Sequence, residues 1–109
     1  MFKLEIFIPI THLEALREAL KLAGAGAHGC YDSALSYSLV RGCWRPLPGA
    51  NPYHGEIGVL QEADEYKVEV GVSASLLNKT LEAVKAVHPY EVPVINVIRL
   101  YSDYQPDSQ

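Results

Sequence analysis

His88-Pro89-Tyr90-Glu91 places an imidazole, a phenol and a carboxylate within one short stretch. Such groups can bind a metal ion, move a proton or hydrogen-bond a polar ligand. The stretch 42–55 carries a second set: the single tryptophan, Trp44, with Arg45, Tyr53 and His54. With Tyr31, these side chains (His88, Tyr90, Glu91, Trp44, Arg45, Tyr53, His54) are the candidate ligand-binding or interface residues. No nucleophile–base–orienter set can be read among them, so no catalytic residue is assigned and an enzyme is the less favoured expectation. An alternative is copper or zinc binding by His28, His54, His88, Cys30, Cys43 and Glu91, which offer imidazole, thiolate and carboxylate ligands. Their spacings match no standard metal site, so they would have to converge through folding or across subunits, and no metal ligand is assigned. No motif names a cofactor.

Gly24-Ala25-Gly26-Ala27-His28-Gly29 matches GxGxxG by letter. The dinucleotide fingerprint needs a strand before it and a helix after it. Here a helical pattern precedes and strand-like residues follow, so the expected role is a helix stop and a close-packed glycine turn.

The elements that must position the candidate residues follow from periodicity. Phe2, Leu4, Ile6 and Ile8 alternate with Lys3, Glu5 and Phe7, a half-buried strand ended by Pro9. Thr11 and Glu14 have the capping-box spacing, and Leu13, Leu16, Leu20 and Ala23 form a helical stripe that Gly24 should stop. Residues 34–41 are expected as a strand with Leu35, Tyr37 and Leu39 on one face. The stretch 42–55, rich in proline and glycine, is expected as a long loop. It would serve as a lid or oligomer contact anchored by Trp44 and Arg45, or Trp44 would seal the end of the core. A short strand over 56–61, a polar turn over 62–65 and a strand over 66–72 come next, with Tyr66, Val68, Val70 and Val72 inward. Leu77, Leu81 and Val84 predict a helix over 76–87 with Ser75 as N-cap. Pro89 biases His88 away from helical geometry and Pro93 opens the final strand, 94–101. The plainer reading of the corner between them is structural: His88 caps the helix C-terminus in its positive form, favoured there by the helix dipole, and Tyr90 packs.

The resulting order predicts an α+β, ferredoxin-like βαββαβ sandwich with two helices on one face of an antiparallel sheet. Phe7, Val40, Ile95 and Val97 are assigned to the uncovered face, which self-association would cover. The chain has 109 residues, 49% hydrophobic, and a formal net charge of −4. That is enough for one domain with a core, here 1–101, followed by a mobile tail over 102–109. The acidic balance without a basic block argues against a nucleic-acid partner. No apolar run is long enough to span a membrane. The N-terminal residues lack a signal-peptide layout, and Cys30 and Cys43 are not a CxxC pair, so a cytoplasmic setting with free thiols is expected.

Taken together, Gly24-Ala25-Gly26, Gly29, Tyr31, Arg45-Pro46-Leu47, Gly49-Ala50-Asn51-Pro52, Gly55-Glu56, Glu65-Tyr66-Lys67-Val68-Glu69, His88-Pro89-Tyr90-Glu91 and Pro93 resemble one family. It is the CutA/PII-like domain of the Nif-three-like (YqfO-type) proteins, and the resemblance runs over about residues 2–100. It implies a ferredoxin-like fold and a homo-oligomer, a trimer favoured over a dimer, acting as a binding or regulatory module. It implies no reaction, and the metal centre of the larger proteins is built by flanking halves that this stretch does not contain. Val92 stands where the family usually has a second glutamate, which removes a carboxylate pair from the corner. The expected ligand site is a subunit cleft lined by the 42–55 loop and the His88–Glu91 corner.

Overall fold

The structure is a computed structural model and describes residues 1–101; the expected mobile tail, 102–109, lies outside the described residues. Four strands and two α-helices follow in the order β1 (Phe2–Pro9), α1 (Leu13–Ala23), β2 (Leu35–Trp44), β3 (Gln61–Val72), α2 (Leu77–Val87) and β4 (Val94–Arg99). The sheet order is β2-β3-β1-β4, and each neighbouring pair is antiparallel. The architecture is therefore the expected α+β, ferredoxin-like βαββαβ sandwich.

Strand alternation sorts the side chains. Leu4, Ile6 and Ile8 of β1 and Val68, Val70 and Val72 of β3 are buried on one face, against Leu13, Leu16 and Leu20 of α1 and Val84 of α2. Thr80, fully buried on α2, turns its hydroxyl back to donate to the Leu76 carbonyl at 2.8 Å, so no polar atom is stranded. Gly24 takes a left-handed φ of 91° at the C-cap of α1, as expected of that glycine. The rest of the GxGxxG stretch is a turn: the Gly26 N–H donates to the Gly71 carbonyl at 2.9 Å, and His28 pairs with Tyr31 across a short bridge.

Several local expectations are corrected. Neither Thr11 nor Ser75 caps a helix through its side chain, because each lies in a 3-10 turn (Ile10–His12 and Ala74–Leu76) that feeds the following α-helix. The expected short strand over 56–61 does not form, residues 56–60 being loop, and the expected polar turn over 62–65 is instead part of the continuous 12-residue β3. Its polar start is held by β2, which runs on through Gly42, Cys43 and Trp44 to pair with residues 61–63. Arg41 adds ion pairs to Asp64 at 3.1 Å and Glu62 at 3.7 Å. The loop expected over 42–55 therefore begins after Trp44.

The uncovered face also differs from expectation. Ile95 and Val97 pair with Ile6 and Leu4, which places them on the helix side; Val94 and Ile98 take the outer face instead. At its centre that face is a charge lattice, with Lys3 2.6 Å from Glu69 and 3.6 Å from Glu5, and Lys67 3.7 Å from Glu5. Leu35, Tyr37 and Leu39 do share the helix face, but β2 is an edge strand and Leu39 is left 63% exposed. The long β2–β3 hairpin stretches the molecule to 53 × 25 × 23 Å.

Leu16 is fully buried at the centre of the helix–sheet contact. Leu16→Ala is expected to lower unfolding free energy by about 2–5 kcal/mol, measured by urea denaturation at fixed protein concentration.

Candidate functional site

The Pro89–Pro93 corner leaves α2 at His88, whose backbone N–H closes the last helical turn on the Val84 carbonyl at 3.0 Å. Its side chain is buried. Nε2 lies 2.6 Å from the Phe7 carbonyl on β1, and Nδ1 accepts the Tyr90 backbone N–H at 3.3 Å. A carbonyl only accepts and an N–H only donates, so the ring is neutral with its proton on Nε2. Burial pushes its pKa below 6.5, with the Phe7 hydrogen bond and the Glu65 carboxylate opposing. The expected cationic C-cap is thus corrected: desolvation outweighs the helix-end field.

This arrangement holds Tyr90 over the outer face of the sheet. Its hydroxyl donates to Glu65 Oε2 at 2.7 Å. Glu65 is 6% exposed and sits on the face opposite the hydrophobic core. Burial, then the Glu65 bond, holds the Tyr90 hydroxyl well above its ordinary pKa. Gly42 lies diagonally across from Glu65, two residues beyond its register partner Val40, and a Cβ there would come within 2.7 Å of the carboxylate carbon. The glycine therefore makes room for a buried carboxylate. Glu65 was missed among the candidate residues, although it stands in the quoted Glu-Tyr-Lys-Val-Glu run.

The segment after Trp44 folds back over this floor. Gly58 N–H donates to the Pro46 carbonyl at 2.7 Å, and Gly49 makes a turn at φ 100°. The Asn51 backbone N–H donates to Glu91 Oε1 at 2.9 Å, which ties the Gly-Ala-Asn-Pro loop to the His-Pro-Tyr-Glu corner. Trp44 is at the end of β2 on the outer face, so it does not seal the core; its indole N–H donates to the His54 carbonyl at 3.3 Å. Its ring stands 5.7 Å from Tyr90 and 5.8 Å from His54, and Tyr53 stands 5.9 Å from Tyr90.

Between loop, corner and sheet lies a cavity of about 540 Å³. Trp44, Arg45, Tyr53, His54, Tyr90 and Glu91 all line it, with Glu65, Phe7 and Val94 as floor and edge. His88 stands behind Tyr90, at a ring separation of 5.0 Å. Tyr31 is apart: it is 77% exposed in the turn before β2, at the opposite end of the sheet. His28 and Cys30 share that far turn, so the residues weighed for a metal are divided between two ends of the molecule. Among the described residues no group of three or more His, Cys, Asp or Glu side chains gathers as a metal cage. Cys43 and His54 both line the cavity, and no hydrogen bond joins them.

With this geometry in place, the fold class is CutA/PII-like, shown by solved structures. The CutA protein of Archaeoglobus fulgidus, titled a periplasmic divalent cation tolerance protein, superposes with a TM-score of 0.69 at 17% identity, over 95% of this chain and 88% of its own. A Bacillus cereus protein related to NIF3 superposes with a TM-score of 0.81 at 34% identity, over 93% of this chain and 26% of its own. In sequence, a GTP cyclohydrolase 1 type 2 homolog of Halalkalibacterium halodurans is 37% identical over 103 residues, 94% of this chain and 28% of the relative. No family model matches. The chain has the CutA/PII-like fold and is similar to one segment of these longer proteins, spanning about a quarter of the length of the curated relatives it matches.

Two outcomes test the site's geometry. Tyr90→Phe leaves Glu65 buried without its donor and is expected to cost about 1–3 kcal/mol in urea unfolding. His88, with its folded pKa below its unfolded value, contributes stability that is complete above about pH 6.5 and is lost as pH falls through the lowered value. Wild-type unfolding midpoints should therefore drop between about pH 7 and about pH 5, and the drop should be shallower in His88→Gln.

Proposed function

We propose that residues 1–101 act as one binding or regulatory module of the CutA/PII-like kind, which holds a small organic ligand in the cavity beneath the 45–60 loop. The observation that carries this reading is the cavity itself: largely aromatic and apolar walls converging on a few fixed polar groups, of a size usual for ligand sites. The hydrogen bonds from Tyr90 to Glu65 and from Asn51 to Glu91 set its shape before any ligand arrives.

The module works as a homo-oligomer in this reading, a trimer being favoured by the likeness to CutA and PII proteins. Exposed Val92 and Val94 at the cavity's edge, 77% and 52% exposed, support a neighbouring subunit closing over it. A cytoplasmic setting is inferred from Cys30 and Cys43, both exposed and unpaired. No helix among the described residues is long and apolar enough to cross a membrane. The copper or zinc alternative draws on the divalent-cation name of the CutA neighbour. Because His28 and Cys30 lie far from Cys43, His54 and Glu91, such a site would have to be built between subunits.

Native mass spectrometry of the purified protein tests both readings. The expected spectrum is a multiple of the 12.0 kDa subunit with additional organic mass that Trp44→Ala loses. A monomer that carries no added mass, and gains none with a metabolite extract, would sink the module reading. Stoichiometric copper or zinc in place of organic mass would move the assignment to the metal alternative.

A further inference from the structure

We propose that the cavity selects an organic cation: an amine whose charged head reaches Glu65 and whose apolar body lies against Trp44, Tyr53 and Tyr90. This rests on the ligand-binding reading above and names the chemical class of its ligand. The head group is specified by Glu65. A carboxylate offers about four acceptor positions, and Glu65 uses one oxygen, Oε2, for the Tyr90 hydroxyl. Oε1 accepts no hydrogen bond from any described residue, although the side chain is more than nine-tenths buried and lines the cavity. Among the described residues no side-chain oxygen is both buried and unpartnered, so Oε1 opens onto the cavity, where a ligand's donor or positive charge can reach it.

His88 does not complete it. Its one N–H is committed to the Phe7 carbonyl, and its ring is neutral. Lys67 follows Glu65 by two positions on the same face, but its ammonium is directed to Glu5 at 3.7 Å. Arg41, the cation nearest on β2, is paired with Asp64 and Glu62. Arg45 is the cation that lines the cavity; it is exposed, whereas Glu65 forms the buried floor. Glu91 adds a second carboxylate to the lining, with Oε1 bound to the Asn51 N–H.

The walls suit the same ligand. Tyr90 stands between Trp44 at 5.7 Å and Tyr53 at 5.9 Å, with ring planes tilted by 48° and 52°. Aromatic faces attract cations through the ring quadrupole, most strongly where water is excluded. An anion would meet those faces and Glu65 unfavourably, and a neutral molecule could donate to Oε1 but would bring no countercharge to the carboxylate or to the rings.

The test compares three probes of matched shape on the full chain: 2-phenylethylamine, 2-phenylethanol and phenylacetate. Calorimetry gives affinity, and emission of the single tryptophan, Trp44, reports whether the probe enters the cavity. The amine is expected to bind about tenfold or more tighter than either other probe, the scale of one charge-assisted hydrogen bond. Glu65→Gln keeps an acceptor for Tyr90, removes the charge, and should erase that preference. Equal binding of all three, or preference for phenylacetate, overturns the cation assignment and leaves the cavity reading standing. Amine preference that persists in folded Glu65→Gln also overturns it. Absence of binding by all three, with Trp44 emission unchanged, removes both this proposal and the cavity reading.

Discussion

The arrangement of this molecule depends on a carboxylate buried on the wrong side of the sheet. Glu65 lies on the face away from the hydrophobic core, yet it is 6% exposed. A carboxylate cannot be withdrawn from water without a partner. Tyr90 supplies that partner, and Tyr90 can do so only because the corner after α2 is rigid. Pro89 and Pro93 limit its backbone, and the neutral His88 ring anchors it to the Phe7 carbonyl of β1. Glu91 then holds the Asn51 N–H, so the loop over the cavity is fixed by the same corner. One sequence of hydrogen bonds thus joins β1, β3, the corner and the loop, which are distant in the chain.

The sheet makes this possible through its unequal strands. β1 is central and short, and both its neighbours are antiparallel to it. β3 is longer and carries β2 outward beyond the helices. The part of the hairpin that overshoots β1, residues 41–44 paired with 61–64, adds no residue to the hydrophobic core. Its outer face instead becomes the support for the aromatic cluster. The core specifies the position of Glu65 through register, since Pro9 opposite Glu65 and Ile8 opposite Tyr66 follow from the burial of Ile8. A slip of one residue would bring Glu65 into the core and Tyr66 out of it.

The core-facing half of the fold was legible from periodicity alone. The alternation in 2–8 and 66–72 and the helical stripes read as they fold, because burial on one face writes itself into spacing. The polar start of β3 was not legible, since Gln61-Glu62-Ala63-Asp64-Glu65 has no apolar alternation and is held by pairing with β2 and by Arg41. Gly42 was read as a loop residue for its conformational freedom, whereas it is needed for the space its missing Cβ leaves to Glu65. The faces of β4 were inverted for Ile95 and Val97 because Val94-Ile95-Asn96-Val97-Ile98 is apolar on both sides, so only pairing with β1 distinguishes them. For the site, spacing drew attention to the corner and the loop, and nothing in a single sequence could show that one carboxylate in a charged strand is buried beneath them.

A rigid corner and the proposed binding site, opposed as alternatives when only sequence is considered, are compatible in three dimensions. The prolines, the neutral imidazole and the Tyr90–Glu65 bond make the corner stiff. Stiffness at a cavity wall lowers the entropy lost when a ligand is immobilised there. The aromatic rings do not pack over Glu65 and fill the space. Instead they stand in edge and tilted contacts around a cavity of about 540 Å³, held open by a loop pinned at Asn51. Fixed walls around an open space, with a carboxylate at the bottom, are what preorganised recognition requires, and here the sheet carries them on the face its helices leave bare.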